Sequence, residues 1–316
     1  MGVDAARLLA RHRWVWAALG VLVLWATLSL LTERVSLHAL SGVAASAAFL
    51  LIAALGQMLV VTTGRGNIDL SIPSVITLSA YITVIVAGGH DANLPTTFLA
   101  VAALGLGAGL ANAALVILLR IPAIIATLAS GYMLATLTLL ANRQVKTGRT
   151  AETLAYLGAG RLGGVPVVGL IALAIAIAIA LVIGRLAYGR HLSAVGQSWL
   201  AAGLAGVRVS ATMTFAFAAS GVLAALTGML LSGYSGGAFL EMGAPYLLQT
   251  VGAVVLGGTL IAGGSATAAG TLFGAVLLVL IIVTMQIGGL PPGSQDIVQG
   301  VVIILVLAIA GPGRRT

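Results

Sequence analysis

Residues Leu170 to Ile183 read LIALAIAIAIALVI, a run without a single polar side chain. The run is apolar on every face, whereas a strand of a transmembrane barrel alternates apolar and polar residues over about ten positions. In hydrocarbon the peptide groups of such a run have to pair within the segment, and a helix allows this. The stretch therefore predicts a membrane-spanning helix in a chain of the all-α class.

The whole chain has the composition of a polytopic membrane protein. Of its 316 residues, 60% are hydrophobic and 7% are charged, against about 25% charged in an ordinary soluble domain. Charges, glycines and prolines divide residues 1–316, which we interpret as a single membrane domain, into about ten predicted spans of the length that a bilayer requires. The predicted spans are Trp14 to Leu31, Ser41 to Val61, Leu70 to Ala87, Thr97 to Leu119, Ala123 to Ala141, Val167 to Ala187, Thr212 to Ser232, Tyr246 to Ile261, Ala266 to Ile287 and Ile297 to Ala310.

The distribution of basic residues predicts which connections lie in the cytoplasm. An even number of spans places both termini on one side, and the tails and connections of that side carry ten arginines against Asp4 and Asp69. The other side carries five basic and five acidic residues, so the positive-inside rule assigns the first side, with the tail 1–13 and the loop 188–211, to the cytoplasm. The arginines are Arg7, Arg11, Arg13, Arg65, Arg120, Arg185, Arg190, Arg208, Arg314 and Arg315.

The same charge distribution distinguishes a membrane protein from a nucleic-acid-binding protein. The basic residues are spread over several short connections and do not form one patch, which argues against nucleic-acid binding. We predict a multi-pass protein of a bacterial cytoplasmic (inner) membrane, in contact with membrane lipid.

The sequence has no motif for catalysis, metal binding or ATP hydrolysis. It contains no cysteine, its four histidines lack the spacing of metal ligands, and it has no Walker-type glycine loop. We therefore predict no catalytic residue, no metal and no cofactor on this chain. The energy for any transport comes from a partner or from a gradient.

The most polar stretch beside a predicted span is RGNIDLSIPS, at residues 65–74. A carboxylate close to hydrocarbon is costly, so Asp69, with its neighbours Asn67 and Ser71, is a candidate for the lining of a solute pathway. The alternative is that Asp69 caps the third helix at its N-terminus, as aspartate readily does. Both interpretations remain open at the level of the sequence.

Isolated polar residues inside the predicted spans give a second set of pathway candidates. We select Asn112, Thr127 and Gln249; Ser130 and Gln286 have the same character. The alternative for each of them is a hydrogen bond between neighbouring helices, which is common in membrane bundles.

A helix, a glycine-rich break and a new helix occur at Gly56 to Ala80 and again at Gly252 to Ala275. The second copy contains the pairs Gly257-Gly258 and Gly263-Gly264, which predict a helix break at membrane depth. Two similar halves joined in one chain are typical of transporters.

Several short stretches occur in an order that one family of transporters shares. Together they cover about residues 45 to 310 and resemble the permease subunits of ribose-type and simple-sugar ABC importers. GNIDLSIPS at 66–74 is similar to that family's GGIDLSVGS, and RIPAIIATL at 120–128 is similar to its IPPFIATL. The other stretches are GRH at 189–191, AVG at 194–196, VVLGGT at 254–259, GTLFGA at 270–275 and IVQG at 297–300.

The resemblance implies a ten-helix permease that moves a small polar solute, such as a sugar or polyol, inward by alternating access. It implies two cytoplasmic ATP-binding subunits that hydrolyse the ATP, a periplasmic or extracellular solute-binding protein, and a second permease copy in a homodimer or heterodimer. It also assigns contact with the ATPase to Ala201, Ala202 and Gly206, in the loop 188–211. In this loop Leu200 stands where the family usually has glutamate. This departure implies that the contact with the ATPase differs from the usual contact of the family.

A second function remains possible for this sequence. An ion-coupled secondary transporter also uses broken helices and buried carboxylates, and Asp69 is the one credible coupling acid. Solute uptake by the chain alone, driven by an ion gradient, would distinguish this function from that of an ATP-driven permease.

Overall fold

A computed structural model describes residues 14–31, 37–145 and 150–310. The predicted cytoplasmic tail 1–13 and the arginines Arg314 and Arg315 lie outside these ranges.

Within the described ranges the chain forms thirteen α-helices, one 3-10 helix at Asp91–Asn93 and one two-stranded hairpin. In chain order the elements are α1 (Trp14–Leu31), α2 (Leu37–Thr62), α3 (Ile72–Ala87), α4 (Leu94–Ile117), α5 (Ala123–Asn142), α6 (Glu152–Ala159), β1 (Arg161–Leu162), β2 (Val165–Pro166), α7 (Val167–Arg185), α8 (Ala187–Gln197), α9 (Trp199–Leu204), α10 (Val209–Ser235), α11 (Tyr246–Leu256), α12 (Ala268–Ile287) and α13 (Pro292–Ala310).

The prediction of a helical membrane protein is confirmed. Six described helices are long and apolar enough to cross a membrane: Leu40–Thr62, Asp91–Ile117, Ala123–Asn142, Val167–Arg185, Val209–Ser235 and Ala268–Ile287. Three shorter apolar helices cover Trp14–Ser29, Ile72–Ala87 and Tyr246–Leu256.

Two details differ from the sequence prediction. The connection between α5 and α7 contains helix α6 and the antiparallel β1–β2 hairpin. The hairpin forms because Gly163 and Gly164 have φ angles of 57° and 87°, and two such residues form a tight turn. The predicted eighth helix, Tyr246 to Ile261, ends at Leu256, and Gly258 follows with a φ of 85°.

Helix α10 lies at the centre of the bundle and packs against α2, α3, α4 and α6. The contact with α4 is close because glycines stand on both sides of it. A Cβ atom at Gly105 would collide with the carbonyl oxygen of Gly221, and one at Gly109 with that of Phe217. Small residues allow this approach of helix backbones, which is a main source of stability in membrane bundles.

Replacing Gly109 by leucine should therefore separate α4 from α10. We expect Gly109→Leu to lower the thermal unfolding midpoint of the purified protein, because overpacking of a tight contact costs about 1–3 kcal/mol. Gly107→Leu is the matched control, since nothing lies within 4 Å of a Cβ at Gly107, on the exposed side of the same helix. An equal loss of stability in the two variants would contradict the packing argument.

The two helix breaks predicted from the glycine pattern meet in the structure. The connection 63–71 joins α2 to α3, and the connection 257–267 joins α11 to α12. The backbone N–H of Gly264 donates to the carbonyl oxygen of Thr62 over 3.0 Å. Gly196 of α8 packs into the same place, where a Cβ would collide with Thr62 O and Gly264 N.

Two further contacts mark a basic end of the bundle and the end opposite to it. At the basic end the guanidinium of Arg65 lies 4.0 Å from the ring centroid of Trp199. At the opposite end the carboxylate of Asp91 accepts hydrogen bonds from the N–H (3.0 Å) and the hydroxyl (2.8 Å) of Thr153. The structure thus separates the loop 188–211, which has arginines and no acid, from the two segments that carry Asp91 and Glu152.

Candidate functional site

The carboxylate of Asp69 is the centre of a buried polar network. Asp69 is 2% exposed, in the connection between α2 and α3. Its Oδ1 accepts hydrogen bonds from the backbone N–H (3.0 Å) and the hydroxyl (2.6 Å) of Ser71. Its Oδ2 accepts a bond from the Ser220 hydroxyl over 2.7 Å. Three donors therefore compensate for the removal of this carboxylate from water.

The network continues from Asp69 towards α4 and α5. The Ser71 hydroxyl accepts a bond from Asn112 Nδ2 over 2.8 Å, and Asn112 Oδ1 accepts a bond from the Ser130 hydroxyl over 2.5 Å. The chain of side chains from Ser220 to Ser130 thus joins α10, the α2–α3 connection, α4 and α5. A network of this kind fixes the relative position of the elements that contribute to it.

Two further side chains hold the backbone of the helix break. The backbone N–H of Asp69 donates to Gln57 Oε1 (3.1 Å), and that of Leu70 donates to the Thr127 hydroxyl (2.9 Å). A broken helix is tolerated at membrane depth where neighbouring groups satisfy the freed backbone in this way. The other amide atom, Gln57 Nε2, is buried without a partner among the described residues.

The network lies inside the bundle and away from its ends. Ser220 is about 16 Å along α10 from Val209, at a rise of 1.5 Å per residue. Thr127 and Ser130 lie in the first half of α5 (Ala123–Asn142). Asp69 is therefore in the interior, although Arg65 of the same connection lies at the basic end.

The structure gives a more detailed answer than either sequence interpretation of Asp69. The N-cap residue of α3 is Ser71, and its side chain makes no capping bond. Asp69 is therefore not the N-cap residue; it stabilises the turn just before the helix by accepting the Ser71 N–H. Its role in a solute pathway stays a prediction, because its oxygens are occupied by hydrogen bonds within the chain.

The other predicted pathway residues fall into two groups. Ser71, Asn112 and Thr127 belong to the network around Asp69. Asn67 is buried nearer to the basic end, where its Nδ2 donates to the Thr63 hydroxyl over 2.9 Å. Gln249 is half-buried in α11, and no described hydrogen bond connects it with the network.

A cavity of about 410 Å3 lies between α3, α5 and the segment that precedes α11. Its wall carries several hydroxyl groups and one acid, and the backbone N–H of Gly243 donates to the Thr77 hydroxyl (3.0 Å) and closes one side. The polar lining residues are Ser74, Thr77, Tyr132, Thr136, Thr138 and Glu241. We call this space the hydroxyl cavity.

Sequence reasoning missed the hydroxyl cavity. Tyr132 and Thr136 are one helical turn apart, as are Ser74 and Thr77, so each pair lies on one face of its helix. This spacing is a signal in the sequence. It does not reveal, however, that the segment around Glu241 returns to meet both faces.

A second cavity, of about 500 Å3, lies at the basic end. Its polar and aromatic lining consists of Arg65, Asn67, Arg120, Trp199 and Ser210. We call it the arginine cavity. Along α5, the residues at 123–124 line the arginine cavity, Thr127 and Ser130 belong to the network, and residues from Tyr132 onwards line the hydroxyl cavity.

The loop 188–211 is folded onto the first helix break. Ser198 is the N-cap of α9, and its side chain accepts a bond from the Ala201 N–H over 3.2 Å. The indole N–H of Trp199 donates to the carbonyl oxygen of Thr63 over 2.8 Å. Helix α9 is thus attached to the connection that carries Asp69.

A second contact holds this loop to α10. The Tyr188 hydroxyl lies 3.4 Å from the carbonyl oxygen of Thr212, and burial raises the pKa of this phenol above its ordinary value. The phenol is therefore neutral and acts as a donor throughout the physiological pH range.

A profile of the family described as "Branched-chain amino acid transport system / permease component" matches residues 39–307. The chain belongs to this family of ABC-importer permeases. The resemblance found in the sequence is thereby confirmed, and the permease is a membrane component, not the ATP-hydrolysing subunit. Permeases of this family work with an ATPase and a solute-binding protein.

Curated relatives match over nearly the whole permease. It is 32% identical over 297 residues to the autoinducer 2 import system permease protein LsrC of Yersinia enterocolitica, covering 93% of this chain and 81% of the relative. It is 30% identical over 306 residues to the protein of the same name from Photorhabdus luminescens, covering 96% and 92%. No solved structure matches the permease.

The residues predicted to contact the ATPase differ in their exposure. Ala201 and Gly206 are exposed, and Gly206 has a φ of 83° in the turn after α9. Ala202 is 4% exposed and faces the permease itself. Leu200 and Leu204 are 74% and 84% exposed, so the outward face of α9 is apolar.

Proposed function

We propose that the permease carries its solute through the hydroxyl cavity and that the Asp69 network is the inner barrier beneath that cavity. The observation that carries the proposal is the arrangement along α5. One helix contributes Thr127 and Ser130 to the barrier and Tyr132 and Thr136 to the wall of the cavity above it. Alternating access then requires a movement of α5 against the α2–α3 connection, which breaks and remakes bonds of the network.

We infer ten membrane spans with both termini on the cytoplasmic side. Nine apolar helices and α13 supply ten candidates, and α3 and α11 are short because each adjoins a helix break. The basic end is the cytoplasmic end under the positive-inside rule, since Arg65, Arg120, Arg190 and Arg208 lie in its connections. The loop 188–211 then faces the cytoplasm.

The same orientation gives each partner a place. Helix α9 presents Leu200, Ala201 and Leu204 to a cytoplasmic ATPase, and its bond to Thr63 gives a direct mechanical connection with the barrier. We propose two ATPase subunits, a second permease copy, identical or not, and a solute-binding protein that docks at the opposite end. ATP is bound by the partner subunits alone.

The solute that fits the hydroxyl cavity is small, polar and rich in hydroxyl groups. A volume of about 410 Å3 is in the range of small-molecule sites, and neutral hydroxyls on the wall match the donors and acceptors of a sugar, a polyol or a sugar-like molecule. The relatives are named as permeases of an autoinducer 2 import system, which supports import as the direction of transport.

Reconstitution tests the proposed function directly. We expect proteoliposomes to accumulate solute when they contain the permease, its ATPase and its solute-binding protein together with ATP. Omission of the ATPase should reduce uptake to the level of empty liposomes. Uptake by the permease alone, driven by a proton or sodium gradient, would refute the proposal and favour an ion-coupled secondary transporter.

Removal of one hydroxyl group tests whether the solute binds in the hydroxyl cavity. Tyr132 lines the cavity and is 69% exposed. We expect Tyr132→Phe to raise the KM for uptake about three- to tenfold, which corresponds to the loss of one hydrogen bond. Tyr156→Phe removes the same hydroxyl from an exposed tyrosine of α6 that does not line the cavity. Equal effects of the two substitutions would place the solute elsewhere.

A further inference from the structure

The arginine cavity has two guanidinium groups and no acid in its lining. Arg65 and Arg120 are both exposed side chains, and among the described residues neither has a carboxylate partner. Two unpaired cations in one cavity repel each other, so an anion bound between them lowers the free energy of the site. Guanidinium groups bind phosphate oxygens in a bidentate geometry, which favours a phosphate over other anions.

The backbone of both arginines has an unusual conformation. Arg65 has a φ of 57° and Arg120 a φ of 56°, and within the described ranges these are the non-glycine residues with positive φ. Glycine adopts this conformation without the steric cost that a side chain brings. An arginine at each of these positions therefore has a backbone cost that a glycine would avoid.

The aromatic ring of Trp199 fixes one of the two cations. The Arg65 guanidinium lies 4.0 Å from the centroid of the Trp199 ring, and the indole N–H is held by Thr63 O. A cation–π contact attracts the guanidinium without using its N–H donors in a hydrogen bond to a side-chain acceptor. Arg65 is therefore positioned in advance for an acceptor in the cavity.

Apart from Asn67, Trp199 and Ser210, the rest of the lining is apolar, and it lies where three spans end or begin. Helix α4 ends at Ile117, α5 begins at Ala123 and α10 begins at Val209. The apolar lining residues include Val116, Ile117, Ile121, Ile124, Val209 and Met213. Beside them, Leu118 and Leu119 are 76% and 65% exposed, as expected for residues in contact with lipid.

From this combination we infer that the arginine cavity binds the phosphate of an anionic phospholipid from the cytoplasmic leaflet. The two arginines contact the phosphate, and the apolar wall contacts the glycerol ester region and the first part of an acyl chain. A free phosphate ion would use the arginines and would leave the apolar wall unused. The network around Asp69 separates this site from the hydroxyl cavity, so the lipid and the solute bind on opposite sides of the proposed barrier.

The experiment compares two double variants that remove the same charge. Arg65→Gln/Arg120→Gln empties the cavity of cations, and Arg185→Gln/Arg190→Gln removes two exposed arginines at the same end that do not line it. Each protein is purified in detergent with phosphatidylglycerol, and native mass spectrometry measures the retained lipid. Thermal unfolding midpoints are then measured with added phosphatidylglycerol, phosphatidylcholine or inorganic phosphate.

We expect the wild type and the Arg185/Arg190 variant to retain phosphatidylglycerol and to be stabilised by it. Retention by the Arg65/Arg120 variant should fall about tenfold or more, since each basic residue at the surface adds about a factor of five. Arg65→Lys/Arg120→Lys keeps the charge and should recover part of the binding, which separates lost binding from misfolding. Equal retention by both double variants, stabilisation by phosphatidylcholine to the same extent, or full replacement of the lipid by inorganic phosphate would each overturn the inference.

Discussion

Replacement of Gly196 by valine is expected to abolish transport. The Cβ of any residue at position 196 would collide with the carbonyl oxygen of Thr62 and with the backbone nitrogen of Gly264. Both are backbone atoms, and they are joined to each other by the 3.0 Å bond of Gly264 N–H to Thr62 O. The side chain therefore has to separate the two helix breaks or push α8 away from them, and overpacking of this kind costs about 1–3 kcal/mol or more.

The expected readouts of Gly196→Val are a lower unfolding midpoint and uptake below about a tenth of the wild-type rate, since 1.4 kcal/mol already corresponds to a factor of ten. Gly184→Val is the matched control, because Gly184 is exposed in the preceding helix α7, outside the proposed ATPase contact, and nothing lies within 4 Å of a Cβ there. If Gly196→Val transports normally, the contact between the loop 188–211 and the two breaks has no part in the transport cycle.

We call the contact of Gly196 with the two helix breaks the junction. Its position in the fold explains which parts of the structure the sequence predicts well. Apolar length alone locates the helices, and the glycine pairs at 257–258 and 263–264 locate the second break. The junction itself depends on residues far apart in the chain, such as Thr62, Gly196 and Gly264. A repeated pattern indicates that two similar breaks exist, whereas only the packed structure brings them into contact.

The candidate site shows the same limit in its chemistry. Asp69, Ser71, Asn112 and Thr127 stand out in the sequence as polar residues next to apolar spans, and the structure gathers them into one network. Gln249 has the same appearance in the sequence but is half-buried in α11, outside the network. Polarity within a span identifies groups that need a partner, and it does not identify which partner they have.

The second prediction concerns the barrier itself. We expect Asp69→Ala to reduce uptake at least tenfold, because it leaves the Ser71 N–H, the Ser71 hydroxyl and the Ser220 hydroxyl without their acceptor in a buried site. Each unsatisfied buried group costs about 1–3 kcal/mol. Ser220→Ala removes one donor and leaves two bonds to the carboxylate, so a smaller loss is expected. Asp69→Asn keeps the shape of the side chain and one acceptor oxygen. Its loss of uptake should therefore lie between the losses of Asp69→Ala and Ser220→Ala.

Asp69 either belongs to the barrier or only maintains the fold, and these two hypotheses predict different results for the assembled transporter. If the network closes the inner end of the pathway, Asp69→Ala increases the leak of solute from loaded proteoliposomes without ATP, while the ATPase remains bound and hydrolyses ATP. The double variant Asp69→Ala/Ser220→Ala should then show less than the sum of the two single losses, since both act on one bond. Loss of uptake together with loss of ATPase assembly, and with no increase in leak, would mean that Asp69 only maintains the fold.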